Sequence, residues 1–242
     1  MKCLNILLLI LLFNNVLIVK SQIISNKTSS TLILTGQGNP ILHGKNYKLT
    51  KEASQAYQKM KSTAKKEGLN LKIASSHRAF DRQVAIWNYK YSKNMEAGMT
   101  PEENIKKIIE YSTIPGTSRH HWGTEIDLID ADPEVEGDVL LTPLFEENGP
   151  YASLNNWLKK NAHKYGFYLV YTNEESRTGF KYEPWHYSYV PQSKRFLKEF
   201  LDINIKELIN SKKILGKEYL SEDFIEKYIN EYVLGVSKKV IE

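Results

Sequence analysis

Two short polar stretches of this 242-residue chain concentrate side chains that bind metal ions. The first stretch, residues 115–130, contains two histidines and three acids: His120, His121, Glu125, Asp127 and Asp130. The second, residues 179–190, contains Glu183 and His186. Imidazole nitrogens and carboxylate oxygens are common ligands of Zn²⁺ in proteins. Together the two stretches predict a metal site.

The ligand set favoured by residue type is His120, Asp127 and His186. The single cysteine, Cys3, lies at the start of the chain, so a site built on thiolates is excluded from the rest of it. Two imidazoles and one carboxylate leave a fourth coordination position open, as in catalytic zinc sites. Side chains seven residues apart on an ideal strand point to opposite faces. Gly123 permits a bend that could bring His120 and Asp127 to one centre.

Three other residues compete as ligands: His77, His121 and Asp130. His121 adjoins His120, and His77 adjoins Arg78, so in extended backbone each would point away from its neighbour. Asp130 could support a ligand or contact a substrate, and the sequence leaves its role open.

Glu183 and Arg78 are candidates for the chemistry itself. Glu183 stands three residues before His186, and the intervening Pro184 argues against a helix interior. A carboxylate beside a metal ligand could accept a proton from water and return it to a leaving amine. Arg78 follows a predicted strand, residues 71–75, and its guanidinium could stabilise negative charge on a carbonyl oxygen. An arginine after a strand is more often a surface residue, and spacing alone does not decide between these readings.

The pattern of apolar residues predicts an α+β fold. Periodicity and capping residues predict helices over residues 50–68, 80–93, 100–112 and 150–166. Alternating or apolar runs predict strands over residues 71–75, 124–130, 167–172 and 185–190. Two further helical segments are expected between residue 194 and the end. The strands are too few and too local for a doubly wound parallel sheet.

Composition divides the chain into four predicted parts. Residues 1–21 combine Lys2 with an apolar run, as in a secretory signal peptide. Residues 22–47 form a polar leader, residues 48–200 hold the candidate site, and residues 201–242 form a C-terminal helical extension without candidate chemistry. The signal predicts an exported protein of the periplasm or cell envelope. A membrane is a partner only if the N-terminal segment stays uncleaved as an anchor.

The charge of the chain is modest. The formal net charge of +5 falls to +3 without residues 1–21, which hold Lys2, Lys20 and no acid. A weakly positive protein suits work near anionic envelope polymers. The sequence contains no basic block with interleaved aromatic residues, so nucleic acid is not an expected partner.

Four ordered motifs resemble the VanY-type zinc D-alanyl-D-alanine carboxypeptidases, a family of the hedgehog/D-Ala-D-Ala metallopeptidase superfamily. The resemblance covers about residues 45–200, and its motifs are SSHRAFDRQ, PGTSRHHWGTEIDL, WLKKNAHKYGF and TGFKYEPWHYSYV. The family pattern S-x-H-x6-D falls on Ser118, His120 and Asp127. The E-P-W-H signature is intact at residues 183–186.

The resemblance implies a ligand set and a reaction. Zn²⁺ would be held by His120, Asp127 and His186, with Glu183 as general base and acid and Arg78 steadying the carbonyl oxygen. Proteins of this family share a small antiparallel sheet flanked by helices, with zinc in a cleft.

The resemblance also implies a substrate, the peptidoglycan stem peptide that ends in D-alanine. Ser118 and Gln83 would line the pocket that takes the terminal D-alanine, and Trp185 would form part of its wall. A D,D-carboxypeptidase acting on pentapeptides is expected ahead of an L,D-carboxypeptidase acting on tetrapeptides. Cleavage of cross-links is a third possible reaction. A binding module without chemistry and a zinc-dependent scaffold are the readings outside catalysis.

Three positions depart from the usual family pattern and leave subsite preference open. Glu125 replaces a residue that is usually small. It would add negative charge near the metal if it faced the cleft and would be harmless if it faced away. His121 replaces a frequent glutamine, and residues 167–180 lack a common Arg-Tyr-Pro.

Overall fold

A four-stranded antiparallel sheet lies at the centre of the protein, with the strand order β1-β2-β4-β3. The computed structural model describes residues 29–241, so the predicted signal peptide lies outside the described residues. The strands are β1 Leu71–Ser75, β2 Glu125–Asp130, β3 Phe167–Leu169 and β4 His186–Tyr189. The predicted α+β class is confirmed.

Helices cover the sheet and extend beyond it. They are α1 Lys51–Lys66, α2 Phe80–Glu96, α3 Pro101–Ile108, α4 Ala152–Asn161, α5 Val190–Phe200, α6 Ile205–Asn210, α7 Glu222–Tyr228 and α8 Lys238–Ile241. Residues 29–34 are also helical. Between residues 29 and 241, no helix is long and apolar enough to cross a bilayer.

The starts of the first and third helices follow from their capping residues. The Thr50 side chain accepts a hydrogen bond from the Ala53 amide at the start of α1. Thr100 and Glu103 form a capping box at the start of α3, and Pro101 is the first residue of that helix. Such caps satisfy backbone N–H groups that have no partner within the helix. These local signals explain why both helices begin where the sequence predicted.

Strand β2 is buried along its whole length. Ile126 and Leu128 lie in an apolar cluster with the buried faces of α1 and α4. Glu125 and Asp127 alternate with these residues and so point to the other side of the sheet. Buried polar groups need partners. The polar side of β2 is therefore where a site can be built.

The register of the sheet brings distant parts of the chain together. In the antiparallel pair of β2 and β4, Asp127 lies opposite His186 and Glu125 lies opposite Ser188. On the other side of β2, Ser75 is paired with Asp127 after a register shift within β1. A row of residues from β1, β2 and β4 thus crosses the sheet at Asp127.

The C-terminal segment is more divided than the two helices that the sequence predicted. The chain turns between α5 and α6, where the Asn204 side chain accepts a hydrogen bond from the Glu207 amide. A π-helical turn, Ile229–Val233, follows α7. These changes of direction fold the segment back onto the protein.

The C-terminal segment shares the largest apolar cluster with the rest of the protein. Ile205, Ile209 and Val233 pack in one cluster with Trp87 and Trp122.

Tyr228 connects the C-terminal segment to the loop before His120. Its hydroxyl accepts from the Ile114 amide at 3.2 Å and lies 3.0 Å from Thr117 Oγ1. The segment therefore stabilises the loop at the start of the first polar stretch.

The proposed domain boundaries remain predictions.

Candidate metal centre

The three predicted ligands, His120, Asp127 and His186, lie together at the Asp127 row of the sheet. His120, Asp127 and His186 each offer a ligand atom, and these atoms lie within 4.8 Å of one another. His120 Nε2 is 3.3 Å from Asp127 Oδ2, and His186 Nδ1 is 3.4 Å from Asp127 Oδ1. All three side chains are buried. This is the cluster that the two polar stretches predicted.

A tight turn places His120 beside strand β2. His120 lies in a 3-10 turn, Arg119–Trp122, and Gly123 ends that turn with a φ of 70°. This left-handed conformation is far easier for glycine than for other residues. The turn reverses the direction of His120 relative to the strand, so His120 and Asp127 face one centre. The bend expected at Gly123 is confirmed.

Hydrogen bonds fix which ring nitrogen of each histidine faces the cluster. His120 Nδ1 lies 2.8 Å from the Ser76 carbonyl oxygen, which can only accept, so this nitrogen donates and Nε2 is left for a ligand bond. His186 Nε2 lies 3.1 Å from Glu125 Oε2, while its Nδ1 faces the cluster. Asp127 Oδ1 is buried and has no hydrogen-bond partner within the described residues. The donor set and this free oxygen fit a metal ion.

The electrostatics of the cluster favour a cation. Burial disfavours the charge on Asp127, but His120, His186 and Arg78 outweigh it and lower the pKa of Asp127 to about 2. Burial also disfavours the imidazolium of His186, but hydrogen bonds to Glu125 and Glu183 raise the pKa of His186 to about 10. The carboxylates around His186 thus favour positive charge at this buried place.

Glu183 lies beside the cluster. Its Oε2 is 3.3 Å from His186 Nδ1. Glu183 lies in the turn before β4, where its amide donates to the Tyr171 carbonyl at 3.2 Å and its carbonyl accepts from the His186 amide at 3.1 Å. Two backbone hydrogen bonds thus hold the carboxylate next to the cluster. A proton acceptor at this place could serve a reaction at the metal.

Three hydrogen bonds hold Arg78 in place near the cluster. Its amide donates to the His120 carbonyl, and its guanidinium donates to Ser75 Oγ and to Gln83 Oε1 at 3.2 and 3.0 Å. Arg78 lines the same cleft as the cluster. The structure thus places Arg78 in the cleft, where sequence spacing alone left it undecided.

Gln83 departs from its expected place in the pocket lining. Its side chain is fully buried, and its Nε2 donates to the Thr113 carbonyl while its Oε1 accepts from Arg78. Both ends of the amide are already used. Gln83 therefore supports Arg78 from behind rather than lining the cleft.

The cleft has a volume of about 490 Å³ and opens onto the cluster. Ser118 and Trp185 line it, and their contact with a terminal D-alanine stays a prediction. Trp185 also packs against Phe145, with ring centroids 5.6 Å apart, which fixes its indole as a wall. Drug-sized ligands are commonly bound in clefts of this size.

Lys90 is a cation of the cleft that the sequence reasoning missed. It lines the cleft, and its Nζ donates to Ser112 Oγ at 2.7 Å. Burial and the neighbouring Arg78 lower the pKa of Lys90. A signal was present in the sequence, because Lys90 stands two helical turns after Gln83 and so shares its face of α2.

The competing ligand candidates lie outside the cluster. His121 is buried, and its Nδ1 lies 2.6 Å from the Arg78 carbonyl, so it supports the Arg78 loop. Burial lowers the pKa of His121 to about 3. Asp130 Oδ1 accepts from the backbone amides of Asn70 and Asp132, which is a structural role. His77 is half-buried, and its amide donates to the Lys48 carbonyl at 3.1 Å.

Glu125 meets neither of the two expectations for it. It is fully buried and does not line the cleft, yet it contacts His186 of the cluster from behind. Arg119 Nη2 lies 3.4 Å from its Oε1, and Ser188 Oγ donates to the same oxygen at 2.7 Å. The 3-10 turn brings Arg119 close to Glu125, and the pairing of β2 with β4 brings Ser188 close. Residue type alone did not reveal these contacts.

Two imidazoles and a carboxylate beside an open cleft and a further carboxylate are typical of the centre of a metal-dependent hydrolase. The profile of the VanY family, D-alanyl-D-alanine carboxypeptidase, matches residues 46–192, which is more than half of the chain. The chain belongs to this family, as its four motifs suggested.

Two curated relatives illustrate the similarity. A D-alanyl-D-alanine carboxypeptidase of Enterococcus faecium is 29% identical over 211 residues, which cover 83% of this chain and 58% of the relative. YodJ of Bacillus subtilis (strain 168) is 32% identical over 160 residues, which cover 66% of this chain and 52% of the relative. The chain thus spans little more than half the length of these two relatives.

Two solved structures share the fold. VanYB in complex with D-Alanine-D-Alanine aligns with a TM-score of 0.52 and 22% identity, over 73% of this chain and 92% of that chain. A mutant of the vancomycin resistance D,D-pentapeptidase VanY in complex with Zn(II) aligns with a TM-score of 0.51 and 20% identity, over 76% of this chain and 90% of that chain.

Replacing a ligand should abolish tight metal binding. Loss of a residue that only supports a ligand typically lowers metal affinity about 10–100-fold. We expect His120→Ala to lower zinc affinity by more than this, because it removes a ligand itself. The matched control is His163→Ala, because His163 is exposed on the 3-10 turn Ala162–Tyr165. Chelator competition measures both affinities. Equal zinc affinity in parent and His120→Ala would contradict the assigned cluster.

Proposed function

We propose that the protein is a zinc-dependent carboxypeptidase that removes the terminal D-alanine from peptidoglycan stem peptides. The observation that carries this proposal is the convergence of His120, Asp127 and His186 with Glu183 at the end of one cleft. Membership of the D-alanyl-D-alanine carboxypeptidase family supports the substrate class. The apolar N-terminal run of residues 1–21 supports export to the envelope, where this substrate lies.

The proposed metal is Zn²⁺, held by His120 Nε2, a carboxylate oxygen of Asp127 and His186 Nδ1. Two imidazoles and one carboxylate form a known ligand set of catalytic zinc sites. When bound, Zn²⁺ supplies a Lewis acid and makes water nucleophilic near neutral pH. The complex of a similar VanY protein with Zn(II) is in keeping with this choice.

Glu183 is the proposed carrier of protons. Its carboxylate takes a proton from the attacking water as the oxygen adds to the peptide carbonyl carbon. It then gives this proton to the nitrogen of the leaving D-alanine, and the carbon–nitrogen bond breaks. Its position beside His186 Nδ1, on the open side of the cluster, supports both transfers.

Arg78 is the proposed partner of the carbonyl oxygen. Addition of water places negative charge on that oxygen, and a fixed guanidinium stabilises this charge more than it stabilises the neutral carbonyl. The bonds of Arg78 to Ser75, Gln83 and the backbone of His120 hold it before substrate arrives. Such preorganisation lowers the barrier without reorganisation during the reaction.

Lys90 is the proposed anchor of the substrate's terminal carboxylate. A carboxypeptidase must recognise the free carboxylate at the end of its substrate. Lys90 and Arg78 both line the cleft, and Arg78 is already directed by Ser75 and Gln83. The Nζ of Lys90 donates to a serine hydroxyl rather than to a carboxylate, so its charge is available to a bound anion.

The test of the reaction is mass spectrometry of muropeptides after incubation with the zinc-loaded protein. We expect one alanine to be lost from pentapeptides, and Glu183→Gln to lower the rate about 10²–10⁴-fold, because general acid–base catalysis contributes that much. Loss of alanine from tetrapeptides alone would show that the protein is an L,D-carboxypeptidase instead of a D,D-carboxypeptidase. A zinc-bound parent that cleaves neither peptide would refute the carboxypeptidase, and an unchanged rate in Glu183→Gln would refute its role.

Lys90→Met should weaken substrate binding. Hydrogen bonds to charged groups contribute about 1.5–3 kcal/mol, so we expect KM to rise about tenfold or more. The turnover number should change little, because the carboxylate is bound alike in substrate and transition state. The control is Lys93→Met, since Lys93 is exposed on the same helix. Steady-state kinetics with equal KM values for both variants would contradict the anchor.

A further inference from the structure

Glu125 is a fully buried carboxylate directly behind a proposed metal ligand. It lies on β2, two residues before Asp127, and faces Ser188 across the pair of β2 and β4. It lines no part of the cleft, so it contacts no substrate there. The reaction proposed above does not use it.

The two oxygens of Glu125 have different partners. Oε1 accepts from Ser188 Oγ, Thr124 Oγ1 and Arg119 Nη2 at 2.7, 3.1 and 3.4 Å. Oε2 is left to His186 Nε2 at 3.1 Å. The first oxygen thus anchors the carboxylate, and the second acts on the histidine.

A carboxylate at Nε2 determines what the other ring nitrogen can do. A neutral imidazole has one N–H donor and one acceptor nitrogen. An ionised carboxylate accepts only, so in the neutral ring, the form that can bind a metal, Nε2 keeps the proton and the lone pair lies on Nδ1. Nδ1 faces Asp127 Oδ1 at 3.4 Å, inside the cluster of ligands. The contact also fixes the rotation of the ring about its side-chain bonds.

Arg119 makes it possible to bury this charge. A carboxylate removed from water is costly unless it is paired and hydrogen-bonded. The Arg119 side chain is itself buried, and its guanidinium lies 4.5 Å from the centre of the Trp122 ring. The pair is therefore a fixed part of the interior.

We propose that Glu125 is a positioning residue for the metal, which holds His186 in the tautomer and orientation that present Nδ1 as a ligand. The inference rests on the proposed metal site but not on the identity of the substrate. Carboxylate partners of ligand histidines typically contribute about 10–100-fold to metal affinity or activity. The resemblance to the family did not imply this role, because the usual residue at this position is small.

The test compares two double variants that share one change. Arg119→Met/Glu125→Gln and Arg119→Met/Glu125→Met both remove the buried charge pair and keep side chains of similar length. Only the glutamine retains an oxygen that can accept from His186 Nε2. Neither variant leaves an unpaired arginine in the interior. The measurements are thermal unfolding, zinc affinity by chelator competition, and the absorption spectrum of the cobalt-substituted protein.

We expect the glutamine variant to bind zinc within about threefold of the parent and the methionine variant to bind about 10–100-fold more weakly. The cobalt spectrum should change in the methionine variant alone. If the methionine variant does not fold, Arg119→Met/Glu125→Leu takes its place. Equal zinc affinities and equal cobalt spectra in the two folded double variants would overturn the proposal, because Glu125 would then act only as the partner of Arg119.

Failure of the positioning role and failure of the proposed carboxypeptidase activity give different results. A parent that binds zinc but cleaves no muropeptide would refute the carboxypeptidase, while the difference between the two double variants would still support the positioning role. A parent that binds no zinc at His120, Asp127 and His186 would overturn the positioning role as well.

Discussion

The antiparallel register of β2 and β4 is the constraint on which the site depends. It places Asp127 directly opposite His186, although the two residues are 59 positions apart in the sequence. Side chains directly opposite each other in such a pair lie about 4.5–5.5 Å apart at Cβ. A slip of one residue would turn one of them to the other face of the sheet. The apolar residues that alternate with them, Ile126 and Tyr187, oppose such a slip because both are buried in the core.

Charge balance explains much of the arrangement around this pair. Asp127, Glu125 and Glu183 bring three acids into a small, mostly buried space. Arg119 lies beside Glu125, and Arg78 and Arg119 both line the cleft. Three carboxylates and two guanidinium groups leave one negative charge, which a divalent cation at the cluster would more than offset. The same cations and acids would therefore stabilise the fold and prepare the cleft for a reaction that develops charge on oxygen.

Local chemistry made much of this structure predictable. Helices α1 and α4 followed from apolar periodicity, and Tyr57, Met60, Leu154 and Leu158 on their core faces are all buried. The metal cluster followed from residue type, because few other side chains suit a site without thiols. The bend at Gly123 followed from the conformational freedom of glycine.

The remainder depends on contacts between distant segments, which a single sequence does not encode locally. The burial of Gln83 depends on the Thr113 carbonyl, and the role of Glu125 depends on β4. The divided C-terminal helices bend to fill the core beside Trp87. The roles of the site residues, the signal peptide and the domain boundaries remain predictions from the sequence.

The most direct test is a crystal structure of the zinc-loaded protein with anomalous diffraction measured at the zinc absorption edge. We expect one anomalous peak about 2.0–2.2 Å from His120 Nε2, from a carboxylate oxygen of Asp127 and from His186 Nδ1. Glu125 should stay at His186 Nε2. A peak bonded to His186 Nε2, or a peak away from this cluster, would contradict the proposed metal site.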